Sequence, residues 1–267
     1  MWFFLIRKVR EIMIILMLLV FICFVYALYE YRAIQKKHLT SKDFNVEENL
    51  GLKILYISDI QYDITSFLFQ HRLMKKLIKM INKENPDLVL LGGDFIHKKR
   101  KEYPVFDYLK DIKAPKIAVL GNHDYKDKET VIEKCITSGI QLLVNETLTF
   151  KDLNIIGLDD LRVGKPKLPK FNQDAYNLLL IHEPDDFETY IKKHQFDIAL
   201  AGHLHGGQVT LFGKYAPILP SRYGQRYRYG LVDREGHKIY VSSGLGGAVF
   251  FLPLRFFAKP EIVILNI

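Results

Sequence analysis

The chain has 267 residues, a formal net charge of +8 and a hydrophobic fraction of 49%. It holds two cysteines, Cys23 and Cys135, which argues against a disulfide-stapled scaffold, and it has no internal repeat or low-complexity segment. The basic balance favours an anionic partner such as a phosphate ester, a membrane surface or nucleic acid, although surplus lysine also serves solubility.

The first element is an apolar run without charge at residues 12–29. As a helix it would span about 27 Å, close to the ~30 Å of a hydrocarbon core, and it predicts a single-pass membrane anchor within residues 1–30. The alternative is a cleaved signal peptide, which the length of the run and the poor cleavage site at Ala27-Leu28-Tyr29 disfavour. Three Lys/Arg precede the run and four follow it closely, so the positive-inside rule gives no orientation.

The rest of the chain is long enough for one α/β domain. Residues 31–50 are polar without a clear period and predict a connector, which leaves residues 51–267 as the domain. Strands are expected at 52–57, 88–91 and 116–120, with a helix at 67–85 that Pro86 closes. Strand, helix and strand in this order predict a βαβ unit.

The second half of the domain has a less regular pattern. A helix is expected at 128–138, ended by Gly139, and Asp159-Asp160 are expected to form a turn rather than support a metal site. The other expected elements are strands at 142–150 and 153–158 joined by Lys151-Asp152, strands at 176–181 and 196–201, and a helix at 184–194. Strands at 238–242 and 261–265 are expected to complete a second sheet.

Polar clusters follow five of the apolar strands, where each strand is expected to end. Asp, Asn and His side chains are the donors that suit divalent metals such as Mn²⁺, Fe²⁺ and Zn²⁺, and open α/β sheets bind ligands at the carboxyl ends of their strands. Any one cluster alone is typical of an ordinary polar loop, but five in series are not explained in that way. The clusters contain Asp59 and Gln61, Asp94, Gly121-Asn122-His123-Asp124, His182, and His203 and His205.

This series resembles the calcineurin-like metallophosphoesterases over nearly the whole chain after residue 50, and the motifs at 121–124 and 202–205 are highly specific. The segments at 205–209 and 259–262 are similar to a membrane-associated branch that includes UDP-2,3-diacylglucosamine hydrolases. The resemblance implies a four-layer αββα sandwich of two mixed β-sheets flanked by helices. It also implies hydrolysis of a phosphodiester or pyrophosphate bond, with UDP-2,3-diacylglucosamine, a lipid A precursor, as the named candidate substrate.

The resemblance further implies two divalent metal ions, with Mn²⁺ the leading candidate and Zn²⁺, Fe²⁺ or Mg²⁺ the alternatives. Two ions ~3.5–4 Å apart can share a water and aim it at phosphorus as a bridging hydroxide. His123 would protonate or stabilise the leaving oxygen, with Asp124 holding its ring. The implied ligands are Asp59, Gln61, Asp94 and His205 for one ion, and Asp94, Asn122, His182 and His203 for the other.

One position departs from the family pattern, because Gln61 stands where the family has histidine. An amide oxygen is a weaker and harder donor than imidazole, so the first site should bind metal less tightly and favour Mn²⁺ or Mg²⁺. The other six ligands are present, so the sequence predicts an active enzyme. The alternative is a non-catalytic phospholipid-binding relative with an impaired first metal site.

Three further segments bear on the partners. The basic run at 98–101 is either a solvated loop or a contact for anionic substrate or headgroups, and Arg222 and Arg226 are predicted to bind substrate. Residues 249–257, with four Phe around Arg255, indicate a buried loop or a patch that contacts lipid. We expect a membrane and a phosphate ester as partners, and a lipid-linked ester is one candidate form of this substrate. Nucleic acid is not expected, because no clear aromatic and basic stacking stretch is present.

Overall fold

The structure is a computed structural model that describes residues 2–62, 67–249 and 252–267. The helices in these residues are α1 (Trp2–Glu30), α2 (Phe67–Glu84), α3 (Val105–Lys110), α4 (Lys128–Thr137) and α5 (Phe187–Tyr190). The strands are β1 (Gln35–Thr40), β2 (Lys53–Ile57), β3 (Leu88–Leu91), β4 (Lys116–Ala118), β5 (Ile140–Leu142), β6 (Glu146–Phe150), β7 (Leu153–Gly157), β8 (Tyr176–Leu180), β9 (Ile198–Ala201), β10 (Gly230–Arg234), β11 (His237–Val241) and β12 (Glu261–Asn266).

Within the described residues the strands form two mixed sheets of six, in the orders β1-β12-β2-β3-β4-β5 and β10-β11-β9-β8-β7-β6. In the first sheet, β2 to β5 run parallel, whereas β12 is antiparallel to β2 and parallel to β1. In the second sheet, β7, β8, β9 and β11 run parallel between two antiparallel edge strands. The parallel strands of each sheet therefore end at a shared edge.

Side chains alternate between the two faces of each strand and build three apolar layers. On β2, Ile54 and Tyr56 pack between the sheets, whereas Leu55 and Ile57 pack under the helices. Helices α2, α3 and α4 cover the outer face of the first sheet, and α5 covers the second. This arrangement confirms the expected four-layer αββα sandwich.

Two strand assignments from the sequence are wrong. β12 lies in the first sheet, not the second, and its apolar residues 262–265 are at most 1% exposed, as suits a strand inside a sheet covered on both faces. The expected strand at 142–150 is interrupted at Asn145, whose left-handed φ of 60° turns the chain from β5 in one sheet to β6 in the other.

The expected helix at 184–194 is also shorter than predicted. A 3₁₀ turn at Pro184–Asp186 leads into α5, which ends at Tyr190. Three short elements, α3, β1 and β10, were not predicted, because each is too short or too exposed to show a hydrophobic period.

Part of the expected connector belongs to the first sheet. β1 is its edge strand, in register with β12, and Leu39 is buried there. A 3₁₀ turn at Ser41–Phe44 follows, capped by the Asp43 carboxylate, which accepts the Thr40 backbone N–H at 2.7 Å. Only residues 31–34 therefore separate α1 from the sheet.

α1 is exposed over most of its length and docks on the domain by its last turns. Residues Ile6–Glu30 are long and apolar enough to cross a membrane, a property that signal sequences share. At the far end, the Ala27 carbonyl accepts the Arg255 backbone N–H at 3.2 Å. The Glu30 carboxylate accepts the Phe257 backbone N–H at 2.6 Å, so the helix end is fixed to the domain.

Candidate metal centre

All five predicted polar clusters meet at one edge of the sandwich, beyond the carboxyl ends of parallel strands from both sheets. Contacts between the sheets show this directly, since the His203 backbone N–H lies 3.1 and 3.0 Å from the two carboxylate oxygens of Asp59. The first sheet contributes Asp59, Gln61, Asp94 and Asn122 after β2, β3 and β4, and the second contributes His182, His203 and His205 after β8 and β9.

Asp59, Asp94 and His182 form the tightest group of potential ligands. One ligand atom from each lies within 4.8 Å of the others, and all three side chains are buried. The Nδ1 atom of His182 lies 2.8 Å from the Gly92 carbonyl oxygen, while Nε2 lies 3.6 Å from Asp94 Oδ2. A carbonyl accepts only from a protonated nitrogen, so this contact places a proton on Nδ1 and makes Nε2 the atom that would bind a metal.

His203 and His205 extend this group in two directions. The Nδ1 atom of His203 lies 3.2 Å from His182 Nε2. The Nε2 atom of His205 lies 3.8 Å from Asp59 Oδ1 and 3.1 Å from Gln61 Nε2. His203 therefore lies on the side of His182, and His205 lies on the side of Asp59 and Gln61.

The backbone of the site is strained at the residues that carry these side chains. Left-handed φ angles between 42° and 68° occur at Asp59, Gln61, Asp94, His203 and His205. Each such residue costs on the order of 1 kcal/mol or more, and clusters of them are typical of functional sites. Hydrogen bonds between loops offset the strain: the Asp59 N–H donates to the Gly93 carbonyl at 3.0 Å, and the Gln61 N–H to that of Asp94 at 2.8 Å.

Two glycines in the motifs are required by close approach of the carboxylates. A Cβ atom on Gly121 would lie 2.3 Å from Asp94 Oδ1, and one on Gly202 would lie 2.4 Å from Asp59 Oδ2. Any larger residue would displace the carboxylate, so these glycines make room for the two acidic side chains.

Gln61 is held between the carboxylates and His97. Its Nε2 atom lies 3.0 Å from Asp94 Oδ2, and its Oε1 atom lies 3.3 Å from His97 Nδ1. In this orientation the amide nitrogen, which is not a metal donor, faces the site, and a half-turn of the amide would direct Oε1 there instead. Burial and the charge of His123 lower the pKa of His97 to about 4, so its ring is neutral at pH 7 and its tautomer sets the amide orientation.

The expected contact between Asp124 and the ring of His123 is wrong. Asp124 Oδ2 accepts the backbone N–H groups of Asp94 and Gly121 at 2.8 and 2.9 Å, and Oδ1 accepts that of Phe95 at 2.9 Å. Asp124 is fully buried and fixes the loop that carries Asp94. Asp124 does not contact the His123 ring because the turn after β4 directs its carboxylate toward the neighbouring loop.

His123 is oriented by His97 and Lys126 instead. The carbonyl oxygen of His97 lies 2.8 Å from His123 Nδ1 and accepts Lys126 Nζ at 2.7 Å. The two imidazole rings also stack, with 5.0 Å between their centroids. This leaves Nε2 of His123 as the ring atom available to a substrate oxygen.

Burial and mutual proximity set the charges of the site. Burial raises the pKa of Asp94 above its ordinary range and lowers that of His205 to about 4. Burial also lowers the pKa of His182, but the carboxylates of Asp94 and Asp59 outweigh it and raise the pKa to about 9. Two buried carboxylates this close are costly without a compensating cation.

The donor set fits divalent cations. Carboxylate, amide and imidazole donors together suit Mn²⁺, Fe²⁺ or Zn²⁺. The Oδ1 atom of Asn122 is buried and has no hydrogen-bond partner among the described residues, which is expected of an atom whose partner is a metal ion. Whether each predicted residue binds a metal stays a prediction.

Glu183 is a neighbour of the site that the sequence analysis missed. Its Oε1 atom lies 3.5 Å from His203 Nε2 and 2.6 Å from Arg162 Nε, and burial raises its pKa to about 7. At 3.5 Å the carboxylate lies beside the distal nitrogen of His203 without a hydrogen bond to it among the described residues. Its position directly after His182 was the one available signal.

The other predicted site residues lie outside this group. Arg226 contacts Glu188 Oε1 at 3.3 Å, and the Arg222 backbone N–H donates to Asp185 Oδ2 at 2.7 Å. Neither has a contact with the seven candidate ligands in the described part of the chain, so substrate binding by these arginines stays a prediction. Residues 98–101 are exposed, and residues 159–160 form the expected turn.

The segment at 249–257 is partly core and partly surface, and residues 250 and 251 lie outside the described residues. Arg255 is fully buried and donates to the carbonyl oxygens of Ser243, Gly246 and Ala258 at 2.7, 2.6 and 2.9 Å. Leu252, in contrast, is 45% exposed. The segment therefore belongs in part to the core, and contact of its exposed part with lipid stays a prediction.

Comparison with known proteins matches residues 52–207 to the family model described as calcineurin-like phosphoesterase. The uncharacterized metallophosphoesterase YkuE of Bacillus subtilis is 34% identical, over 81% of this chain and 79% of its own length. Phosphodiesterase YaeI of Escherichia coli is 31% identical, over 80% of this chain and 82% of its own. UDP-2,3-diacylglucosamine pyrophosphatase LpxG of Chlamydia muridarum is 25% identical, over 81% of this chain and 83% of its own length.

Proposed function

Because the chain belongs to the calcineurin-like phosphoesterase family, we propose that it is a membrane-anchored, two-metal enzyme that hydrolyses a phosphodiester or pyrophosphate bond in a lipid-linked substrate. The family and the relatives show that the chain is a metallophosphoesterase, a hydrolase of phosphoester bonds. In our proposal residues 1–30 are the anchor, and residues 51–267 together with β1 are the catalytic domain.

One observation carries the proposal: buried donors from both sheets converge on a single point. Asp59, Asp94 and His182 lie within 4.8 Å of one another, with two carboxylates that need a cation. Metal ions bound there would activate water and neutralise charge on the phosphoryl oxygens. Asp94 lies between the two groups of donors, so it is the residue suited to both ions.

The residues around the ions have separate tasks. Asp124 and the glycines position the carboxylates, and the Gly92 carbonyl fixes the ring of His182. His123, held by the His97 carbonyl and Lys126, presents Nε2 to the leaving oxygen, where a protonated ring would donate its proton.

Two observations support a lipid-linked substrate. α1 supplies a candidate membrane span whose end is fixed to the domain. One relative over four fifths of the chain is named a UDP-2,3-diacylglucosamine pyrophosphatase, so this lipid A precursor is the first substrate to test. We propose Mn²⁺ as the metal, because the amide of Gln61 is a harder donor than imidazole.

The test is metal content together with Mn²⁺-dependent hydrolysis of bis-p-nitrophenyl phosphate, measured on the full-length protein, on Gln61→His and on Asp94→Ala. We expect about two metals per chain and activity in the unaltered protein, tighter metal binding in Gln61→His, and a loss of at least about a hundredfold in Asp94→Ala. UDP-2,3-diacylglucosamine is then assayed in the same way.

Other outcomes would change the conclusion. Activity that appears only after Gln61→His would favour the non-catalytic phospholipid-binding alternative, since the amide nitrogen now faces the site. Equal activity of the unaltered protein and Asp94→Ala at full metal loading would show that the metal centre is not the catalyst.

A further inference from the structure

The loop that follows His203 and His205 exposes an unusual amount of apolar surface. Within residues 209–218, here named the apolar loop, Phe212 is 82% and Ile218 85% exposed, and Leu211 and Tyr215 are 56% and 52% exposed. Leaving such side chains in water forgoes the stabilisation that their burial would give. Several together mark an interaction surface rather than scattered surface residues.

The loop is ordered by its own contacts, so its exposed side chains are not a result of missing packing. The Leu211 N–H donates to the Tyr215 carbonyl at 2.7 Å, and the Thr210 N–H donates to the Phe256 carbonyl at 2.9 Å. Thr210 and Ala216 are buried beneath the exposed residues. The loop therefore holds its apolar side chains in fixed outward positions.

The apolar loop is continuous with the end of α1. The ring of Phe212 lies 6.1 Å from that of Phe257, and the ring of Phe257 lies 5.5 Å from that of Tyr26. Tyr26 belongs to the last turns of the candidate membrane span, Ile6–Glu30. The apolar loop thus lies at the level where α1 would leave the bilayer.

Charge around the loop suits a lipid surface. Residues 208–230 contain no Asp or Glu, and their four basic residues are Lys214, Arg222, Arg226 and Arg228. A cavity of about 290 Å³ between α1 and this region is lined by Tyr26, Arg228 and Lys259 among others. Basic side chains near the level of the headgroups attract anionic lipid.

We propose that the apolar loop inserts into the interfacial layer of the bilayer beside α1. The proposal rests on the membrane span in the proposed function. Since the loop follows His205 directly, it would turn the metal-centre edge of the sandwich toward the membrane. The phosphate group of a substrate could then reach the metals while its acyl chains stay in the lipid.

The test uses tryptophan fluorescence in the full-length protein, whose single tryptophan is Trp2. In a Trp2→Phe background, Phe212→Trp reports on the loop and Leu18→Trp on α1. The matched control is Ile136→Trp, an apolar position 67% exposed at the end of α4, which lies at the opposite edge of the sheet. Each protein is reconstituted in phosphatidylcholine–phosphatidylglycerol vesicles whose acyl chains are brominated near the headgroup.

We expect bromolipid to quench Phe212→Trp by about half, because interfacial segments lie ~5–10 Å deep, and to leave Ile136→Trp unchanged. If bromolipid quenches Leu18→Trp but leaves both Phe212→Trp and Ile136→Trp unquenched, the loop proposal is overturned and the anchor is kept. Absence of quenching at Leu18→Trp would overturn the anchor itself. An unquenched but blue-shifted Phe212→Trp would mean that a second copy of the chain covers the loop.

Discussion

At the level of residues, the orientation of the Gln61 amide depends on His97. The amide that replaces an imidazole can offer its oxygen to a metal only when its nitrogen points elsewhere, and the nearest partner for that nitrogen is Nδ1 of His97. The same residue supplies the carbonyl that holds His123. His97 thus connects the unusual ligand with the group proposed to act on the leaving oxygen.

The buried carboxyl of Asp186 makes the stability of the folded protein depend on pH. Asp186 is 2% exposed, and burial together with the charge of Asp160 raises its pKa to about 7, against about 3.9 in an unfolded chain. The folded protein therefore keeps this proton between about pH 4 and 7, where the unfolded chain has lost it, so its stability falls as pH rises from about 4 to about 7 and stays at the lower level above that. Asp186→Asn should flatten that dependence and raise the free energy of unfolding above pH 7 by roughly 2–4 kcal/mol.

Urea unfolding of the metal-free protein in detergent, at about pH 5 and about pH 8, measures this difference. Asp174→Asn is the control, because Asp174 is exposed and should leave the pH dependence as it is. The same loss of stability between the two pH values in Asp186→Asn and in the unaltered protein would contradict the prediction.

The sequence could locate the donors of the site but not how they are held. Asp94 and His182 were predictable because each lies within three residues of the end of an apolar run that must be a buried strand. The carboxylate of Asp124 could not be placed, because its partners Asp94 and Phe95 lie some thirty residues earlier, on a loop whose backbone is left-handed at Asp94. Glu183 and His97 were missed for the same reason, since their contacts join loops far apart in sequence.

At the level of elements, β1 makes the start of the chain part of the domain. Deleting residues 1–45 would remove β1 and expose the edge of β12, whereas deleting residues 1–33 would remove only α1 and its short link. The longer deletion also loses the burial of Leu39 and Phe44, roughly 3–6 kcal/mol, so we expect its Tm to be lower by roughly 10 °C or more.

Thermal unfolding and size-exclusion chromatography of the two deletions test this. The longer deletion should also aggregate, because an open apolar strand edge pairs with other chains. Two deletions that melt at the same temperature and stay monomeric would show that β1 contributes little.

Elements were predictable where burial imposed a period and not elsewhere. The strands with nearly continuous apolar runs, β2, β3, β8 and β9, were found because strands covered on both faces are almost wholly apolar. β1 is largely exposed and its pairing partner, β12, comes more than two hundred residues later, so neither its existence nor its sheet followed from local pattern. The sequence assigned β12 to the wrong sheet for the same reason.

At the level of the whole molecule, the candidate metal centre lies between the two sheets. Aspartates follow strands of the first sheet and histidines follow strands of the second, so cations bound between them would add a link that the apolar layer alone does not provide. Without cations, the buried carboxylates of Asp59 and Asp94 oppose this closure. Stability of the sandwich and metal occupancy should therefore be coupled.

The coupling gives a quantitative prediction. Mn²⁺ at about a hundred times its dissociation constant should raise the free energy of unfolding by about 2.7 kcal/mol for each site, and the Tm of the full-length protein by roughly 10 °C or more for two sites. Asp94→Asn keeps the size of the side chain but removes the carboxylate suited to both ions, so it should lose most of this shift. Thermal unfolding with chelator and with Mn²⁺ measures both proteins. An equal shift in Asp94→Asn would mean that Mn²⁺ stabilises the protein at some other place, and the link between the sheets would then have to be sought in the apolar layer alone.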